Sequence, residues 1–299
     1  MKRISILVLA ATFFGAGVGL AAPQEGQETA STMPPPKVLV VSREFLKPGK
    51  GGQPHEKTES AFVQAMARAK WPTRYVAANA LTGKARTLFF TGYDSFDAWE
   101  KDTLAAQKNA ALSAALDRAS VSDGDLLSET DGSVLVYNQE QSLRAPVDPT
   151  HMHYVEISLF RVRPGHRKEW SDAVKLVKEA YEKIPDAHWT TYEAMYGQED
   201  AAYVVFVPLK SAAEIDQAME RDKQFLSAMG EEGMKKLGEL ESAAVEFTQT
   251  NLFQFSPKMS YPPDAWVKAD PEFWKPKAAP IGAGEKTQAK NEGKTSMKQ

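Results

Sequence analysis

The sequence predicts an α+β protein built from two βαββαβ repeats, and three observations carry that expectation. The run Val40-Val41-Ser42-Arg43-Glu44-Phe45-Leu46-Lys47-Pro48-Gly49 is answered by Glu156-Ile157-Ser158-Leu159-Phe160-Arg161-Val162-Arg163-Pro164-Gly165. In each, an apolar strand runs into a basic residue and Pro-Gly. Both copies then pass through a helical pattern, an aromatic-rich pair of strands, a second helical stretch and a closing strand. The period, about 115 residues, is too long for a solenoid unit and suits a duplicated small domain.

Repeat one spans 37–138 and repeat two 151–256, with a linker at 139–150 that holds two prolines and little apolar character. The first strand of repeat two covers 154–162. After Pro164-Gly165, Trp170, Val174, Val177, Tyr181 and Ile184 recur at steps of four, three, four and three, one apolar stripe on a helix. Phe62, Met66 and Ala69 repeat this more briefly in the first copy, before Trp71-Pro72. Its loop is longer, adding Lys50-Gly51-Gly52-Gln53-Pro54. The hairpins read 75–81 and 87–93 around Gly83, and 189–195 and 202–207 around Gly197, where glycine supplies a positive φ. Ser211 and Glu214 form a capping box ahead of the second helix of repeat two, and Asp94 with Asp97 plays a similar part in repeat one. Long helical stretches follow at 96–119 and 215–240, the latter broken near Gly230 and Gly233. The closing strands are 134–137 and 245–255.

Outside the repeats, Lys2-Arg3, an apolar run over 4–20 and Ala21-Ala22 have the layout of a secretory signal peptide over 1–22; an uncleaved anchor is the alternative. A Pro-rich spacer (23–36) follows, and 257–299 reads as a largely disordered extension, lysine-rich from Lys275 onward. The chain of 299 residues has no cysteine, which excludes disulfides, thiolate metal sites and cysteine nucleophiles. Net charge is −3, so no global basic field is present to hold nucleic acid. The expectation is a periplasmic or secreted bacterial protein without stable membrane association after cleavage.

A strand ending in a basic residue plus Pro-Gly, a helix led by an aromatic, a hairpin and a longer helical excursion together resemble the dimeric α+β barrel superfamily, which includes antibiotic-biosynthesis monooxygenases. The resemblance covers 37–256. It implies a ferredoxin-like sheet in each repeat, the two closing into one barrel within a single chain, so that an oligomer is not required. That superfamily includes quinone-forming monooxygenases, haem-degrading enzymes, haem peroxidases and isomerases. The second helical stretches here contain no histidine, a departure that puts haem ligation in doubt.

Alternation along the first strands separates two faces. Leu39, Val41, Val155, Ile157 and Leu159 form the apolar set expected to pack under helices. Val40, Ser42, Glu44, Tyr154, Glu156 and Ser158 form the set expected to face a barrel lumen. Glu156, a carboxylate in mid-strand, is therefore the candidate general base, with His188 at the start of a later strand as the second candidate and Arg74 as the expected partner of Glu156. Tyr75, Asn79, Trp189, Tyr192, Glu193 and Tyr203 would line a pocket for a small aromatic or apolar ligand. His55 and His166 each follow a Pro-Gly and are rim candidates. His151 and His153 flank Met152 ahead of a strand. No His, Asp or Glu cluster has metal-ligand spacing, no phosphate-binding glycine loop or nucleophile elbow occurs, and no metal or cofactor is expected. Three readings stand: a small-molecule binder, a cofactor-independent monooxygenase-like or isomerase-like enzyme, and a scaffold with a filled barrel.

Overall fold

The computed structural model describes residues 34–145, 148–185, 187–198 and 201–275. The expected signal peptide, most of the spacer and the tail beyond Lys275 lie outside them. Eight strands close into one antiparallel barrel: β1 (Val38–Leu46), β2 (Tyr75–Ala80), β3 (Arg86–Tyr93), β4 (Leu127–Leu143), β5 (Tyr154–Val162), β6 (Trp189–Tyr196), β7 (Ala202–Leu209) and β8 (Val245–Phe255). Their order around the barrel is β1-β3-β2-β8-β5-β7-β6-β4. Closure removes every free sheet edge, so each ladder is satisfied within the chain.

Helices α1 (Gln53–Ala69), α2 (Phe96–Lys108) and α3 (Ala110–Gly124) belong to the first half, α4 (Arg167–Tyr181) and α5 (Ala213–Ala244) to the second. The stripe read from the sequence is the buried side of α4 and the turn after it: Trp170, Val174, Val177, Tyr181 and Ile184 are all buried. They meet Phe160, Val162, Val205, Val207 and Leu209 on the outer face of the sheet. Gly230 has φ 64 and breaks α5 where the sequence places a break. The stretch 96–119 divides at Asn109, whose side chain accepts from Leu112 N and restarts the helix. Ser95, rather than Asp94 or Asp97, caps α2. The box at Ser211 is half made: Glu214 accepts from Lys210 N at 3.0 Å, but no side chain caps the first turn of α5. Gly197 is required sterically, since a Cβ there would lie 2.0 Å from the Gly132 carbonyl oxygen.

Two segments carry more structure than the sequence indicates. Strand β4 begins seven residues before 134 and runs into the segment read as a linker, pairing with β1 and then with β6. Residues 257–275, assigned to the disordered extension, instead fold as a 3-10 turn (Pro257–Met259) and short helices α6 (Asp264–Ala269) and α7 (Pro271–Trp274). Trp274 is buried and its Nε1 donates to the Thr150 carbonyl at 2.7 Å. Tyr261 bridges to Tyr75. Among the described residues no helix is long and apolar enough to cross a membrane.

Candidate functional site

The alternation read from the sequence is present, but its faces are exchanged. Leu39, Val41, Val155, Ile157 and Leu159 point into the barrel, where they meet Ala78, Leu88, Phe90, Leu135, Tyr192, Val204 and Phe253. Glu44, Tyr154, Glu156 and Ser158 point outward to the helices. Both faces of a helix-clad barrel are buried, so apolar alternation marks two faces without saying which is inside.

Of the residues expected in the lumen, Tyr192 is there. Its ring meets Phe206 and Tyr137 at 5.6 and 5.7 Å, and its hydroxyl donates to the Pro36 carbonyl at 3.1 Å, closing that end. The others face outward. Trp189 is buried against Tyr181 and donates to the Gln141 carbonyl. Tyr203 stacks on Trp170, and Glu193 is ion-paired with Arg167. Tyr75 and Asn79 lie beneath α1, where Asn79 Oδ1 accepts from the Thr87 hydroxyl at 2.6 Å. His188 Nε2 is 3.3 Å from the Pro208 carbonyl, and His166 lies at the start of α4, 3.5 Å from Glu169. His153 is held by Asp270 at 2.7 Å and stacks on Phe273; His151 is held by Asp148.

Glu156 sits under α5 in the second half. Burial first, and then the Asp222 carboxylate, push its pKa up to about 7. Arg74 is not its partner: it belongs to the first half, where it lies 4.1 Å over the Tyr261 ring and 3.4 Å from Asp264.

The end of the barrel away from Tyr192 opens into a cavity of about 300 Å³. Its floor is Leu88, Phe90, Ile157, Leu159, Val204 and Phe206, and its mouth carries Arg43, Lys84, Arg86, Asp131, Gln198 and Asn251. Arg43 donates to Asp131 and, at 2.9 Å, to the Ser133 hydroxyl, which also accepts from Gln198. Arg86 lies 5.0 Å over the Phe253 ring, and burial, then the Arg43 charge, lower its pKa. Three cationic side chains thus face one carboxylate at the mouth of an apolar chamber. None of these cations was singled out from the sequence, because the exchanged faces placed Arg43 outside.

A second polar assembly lies on the opposite face of β1. His55 and Glu59, one turn apart on α1, meet Glu44 of β1 and Asp123 of α3. One donor atom from each of the four lies within 4.8 Å of the others. His55 Nε2 is 3.0 Å from Glu44 and 3.5 Å from Asp123. Only 2% of His55, 3% of Glu59 and 1% of Asp123 is exposed. Burial, and then the Glu44 and Asp123 carboxylates, push Glu59 up to about 9. The four residues come from three places in the chain, so no spacing rule assembles them. The part that could have been read was His55-x-x-x-Glu59, which became legible only once α1 was known to start at Gln53.

No family model matches the chain, and no curated protein matches it. Solved structures similar to it include an anthrone oxidase-like protein, 14% identical with a TM-score of 0.44, covering 74% of this chain and 92% of that one. A heme-binding protein from Thermus thermophilus is 14% identical with a TM-score of 0.42, covering 79% and 98%. A chlorite dismutase variant from Candidatus Nitrospira defluvii is 9% identical with a TM-score of 0.44, covering 78% and 95%. The barrel stands on its own strand ladder.

Proposed function

We propose that the protein is an exported, single-chain α+β barrel that binds a small apolar molecule bearing an anionic group at the barrel mouth. The observation that carries this is the cavity of about 300 Å³ with an apolar floor and a rim of Arg43, Lys84 and Arg86 against Asp131 alone. An apolar body would be desolvated on the floor while a carboxylate reached the guanidinium groups, a pairing favoured in a partly dry site. The cavity favours this over a filled scaffold. The enzyme reading loses its proposed base, since Glu156 and His188 both lie outside the lumen.

Two further parts belong to the same proposal. The halves 37–138 and 151–256 are duplicates of one ferredoxin-like unit, supported by the strand orders β4-β1-β3-β2 and β8-β5-β7-β6. Export rests on the cationic head, apolar run and small residues of 1–22. N-terminal sequencing of protein from its native host should return a start near Ala22 or Pro23; recovery of Met1 in the membrane fraction would refute export.

Calorimetric titration tests the cavity. Octanoate and 2-naphthoate should bind at least about tenfold more tightly than octanamide and 2-naphthalenemethanol, the equivalent of about 1.4 kcal/mol. Arg86→Gln should remove that preference and leave the neutral compounds unchanged. Equal affinity for acids and neutral analogues, or a preference that survives Arg86→Gln, refutes the anionic-group assignment.

A further inference from the structure

The arrangement of Glu44, His55, Glu59 and Asp123 points to a second site, and we propose that it binds one divalent transition-metal ion of the Mn²⁺, Fe²⁺ and Zn²⁺ group. The first ground is geometry. Ligands about 2.0–2.2 Å from a common ion lie roughly 3–4.3 Å apart, and the four donor atoms here already fall within 4.8 Å of one another, so small side-chain rotations close the set.

The second ground is independent of the clustering. Glu59 is 3% exposed, and its Oε1 has no hydrogen-bond partner among the described residues. An orphaned carboxylate oxygen in the interior is costly, and ordinary folded proteins avoid it. The Glu59 carboxyl group lies among two further carboxylates and one imidazole. A cation coordinated by that oxygen supplies what the protein side leaves out.

The surroundings are those of a coordination site rather than a simple ion pair. The Thr87 hydroxyl donates to Asn79 Oδ1 at 2.6 Å, so toward His55 Nδ1, 3.4 Å away, it is placed to accept. Without an ion Nε2 is placed to donate to Glu44 at 3.0 Å; with one bound, the Thr87 contact can hold the imidazole proton on Nδ1 and turn the Nε2 lone pair to the ion, the tautomer a ligand needs. The Thr58 hydroxyl donates to Asp123 Oδ1 at 2.6 Å and fixes its orientation. Glu44 has 19% of its side chain exposed and gives the ion a route from solvent.

The donor set decides the class of ion. Imidazole nitrogen favours Zn²⁺, Fe²⁺ and similar ions over Ca²⁺ and Mg²⁺, and carboxylate oxygens extend the range to Mn²⁺. The site is separate from the proposed ligand cavity, since Arg43 lines that cavity and Glu44 points to the opposite face. Either can fail without the other.

The test uses the untagged full chain, stripped with chelator and titrated with ZnCl₂, MnCl₂, CaCl₂ and MgCl₂. One equivalent of Zn²⁺ or Mn²⁺ should bind, seen by calorimetry and by elemental analysis after gel filtration, and should raise the melting temperature by several degrees. Glu59→Gln keeps the shape and removes one ligand charge; it should weaken binding at least about tenfold. Asp123→Asn should do the same, and circular dichroism should show both variants folded. No binding of Zn²⁺ or Mn²⁺, binding of Ca²⁺ or Mg²⁺ in preference, or one equivalent held with unchanged affinity by both variants would overturn the proposal. The last result would place the ion elsewhere, for instance at His151 and His153.

Discussion

Two points that match in strand order, one in each half of the barrel, are filled in opposite ways. Glu44 of β1 lies beside Thr87 of β3; Phe160 of β5 lies beside Tyr203 of β7. The first pair sits under His55 of α1 and the second under Trp170 of α4. In the second half the gap is filled by rings: Trp170 meets Tyr203 and Phe160 with centroids 5.1 Å apart, and its Nε1 donates to Gln141. In the first half the space between β1, β3 and α1 holds ionisable groups, one oxygen of which has no hydrogen-bond partner among the described residues. The difference teaches that the backbone arrangement does not dictate what fills it. An aromatic wedge stabilises its surroundings by itself, whereas the charged set is complete only with a counter-ion.

The largest effect that would break this comparison is Trp170→Ala. Trp170 is 1% exposed and joins two rings to α4, so its loss should cost about 3–5 kcal/mol in denaturant unfolding. A loss below about 1 kcal/mol would show that the wedge is not what anchors the second half.

Glu156 is next, because the second half is not free of buried carboxylates. Its pKa is raised in the fold to about 7, so the protonated form is the one the fold favours. Its contribution is therefore fully present below the unfolded pKa of about 4.5 and is lost as pH rises through about 7. Glu156→Gln should remove this decline and leave the variant more stable than the parent by roughly 2–3 kcal/mol at about pH 8, and equal to it near pH 4. Parallel stability curves for the two proteins across that range would refute the assignment. Because Glu156 lies outside the barrel, ligand affinity should be unaffected.

The smallest effect sharpens the contrast from the other side. In metal-free protein near neutral pH Glu59→Gln should raise stability by about 1–2 kcal/mol, since the amide keeps the shape of a carboxyl group that burial and the Glu44 and Asp123 carboxylates hold un-ionised in the fold at a cost. If the variant is instead less stable without metal, the carboxylate has a protein partner that holds the first half together.

Much of the secondary structure was legible in the sequence because strand alternation and a 3.6-residue stripe are local signals. Strands β5 and β8 have the limits read for them, and every residue of the α4 stripe is buried. What was not legible was the inside of the barrel. Val38, Leu39 and Val41 are all buried, so the pattern on β1 has no wet side to orient it. That ambiguity moved Glu156, Trp189 and Tyr203 into the lumen on paper and kept Arg43 out of it. The C-terminal segment was missed for a different reason. Its order comes from tertiary contacts, such as Trp274 on Thr150 and Tyr261 on Tyr75, which composition does not report.

Strand sharing governs how the barrel behaves when dilute. Strand β4 pairs with β1 and with β6, and β8 pairs with β2 and with β5, so each belongs to both halves. Both seams therefore close within one molecule, and closure is a first-order event whose equilibrium contains no concentration term. A barrel assembled from two separate chains falls apart once its concentration drops below the dissociation constant. This one keeps its cavity at any dilution.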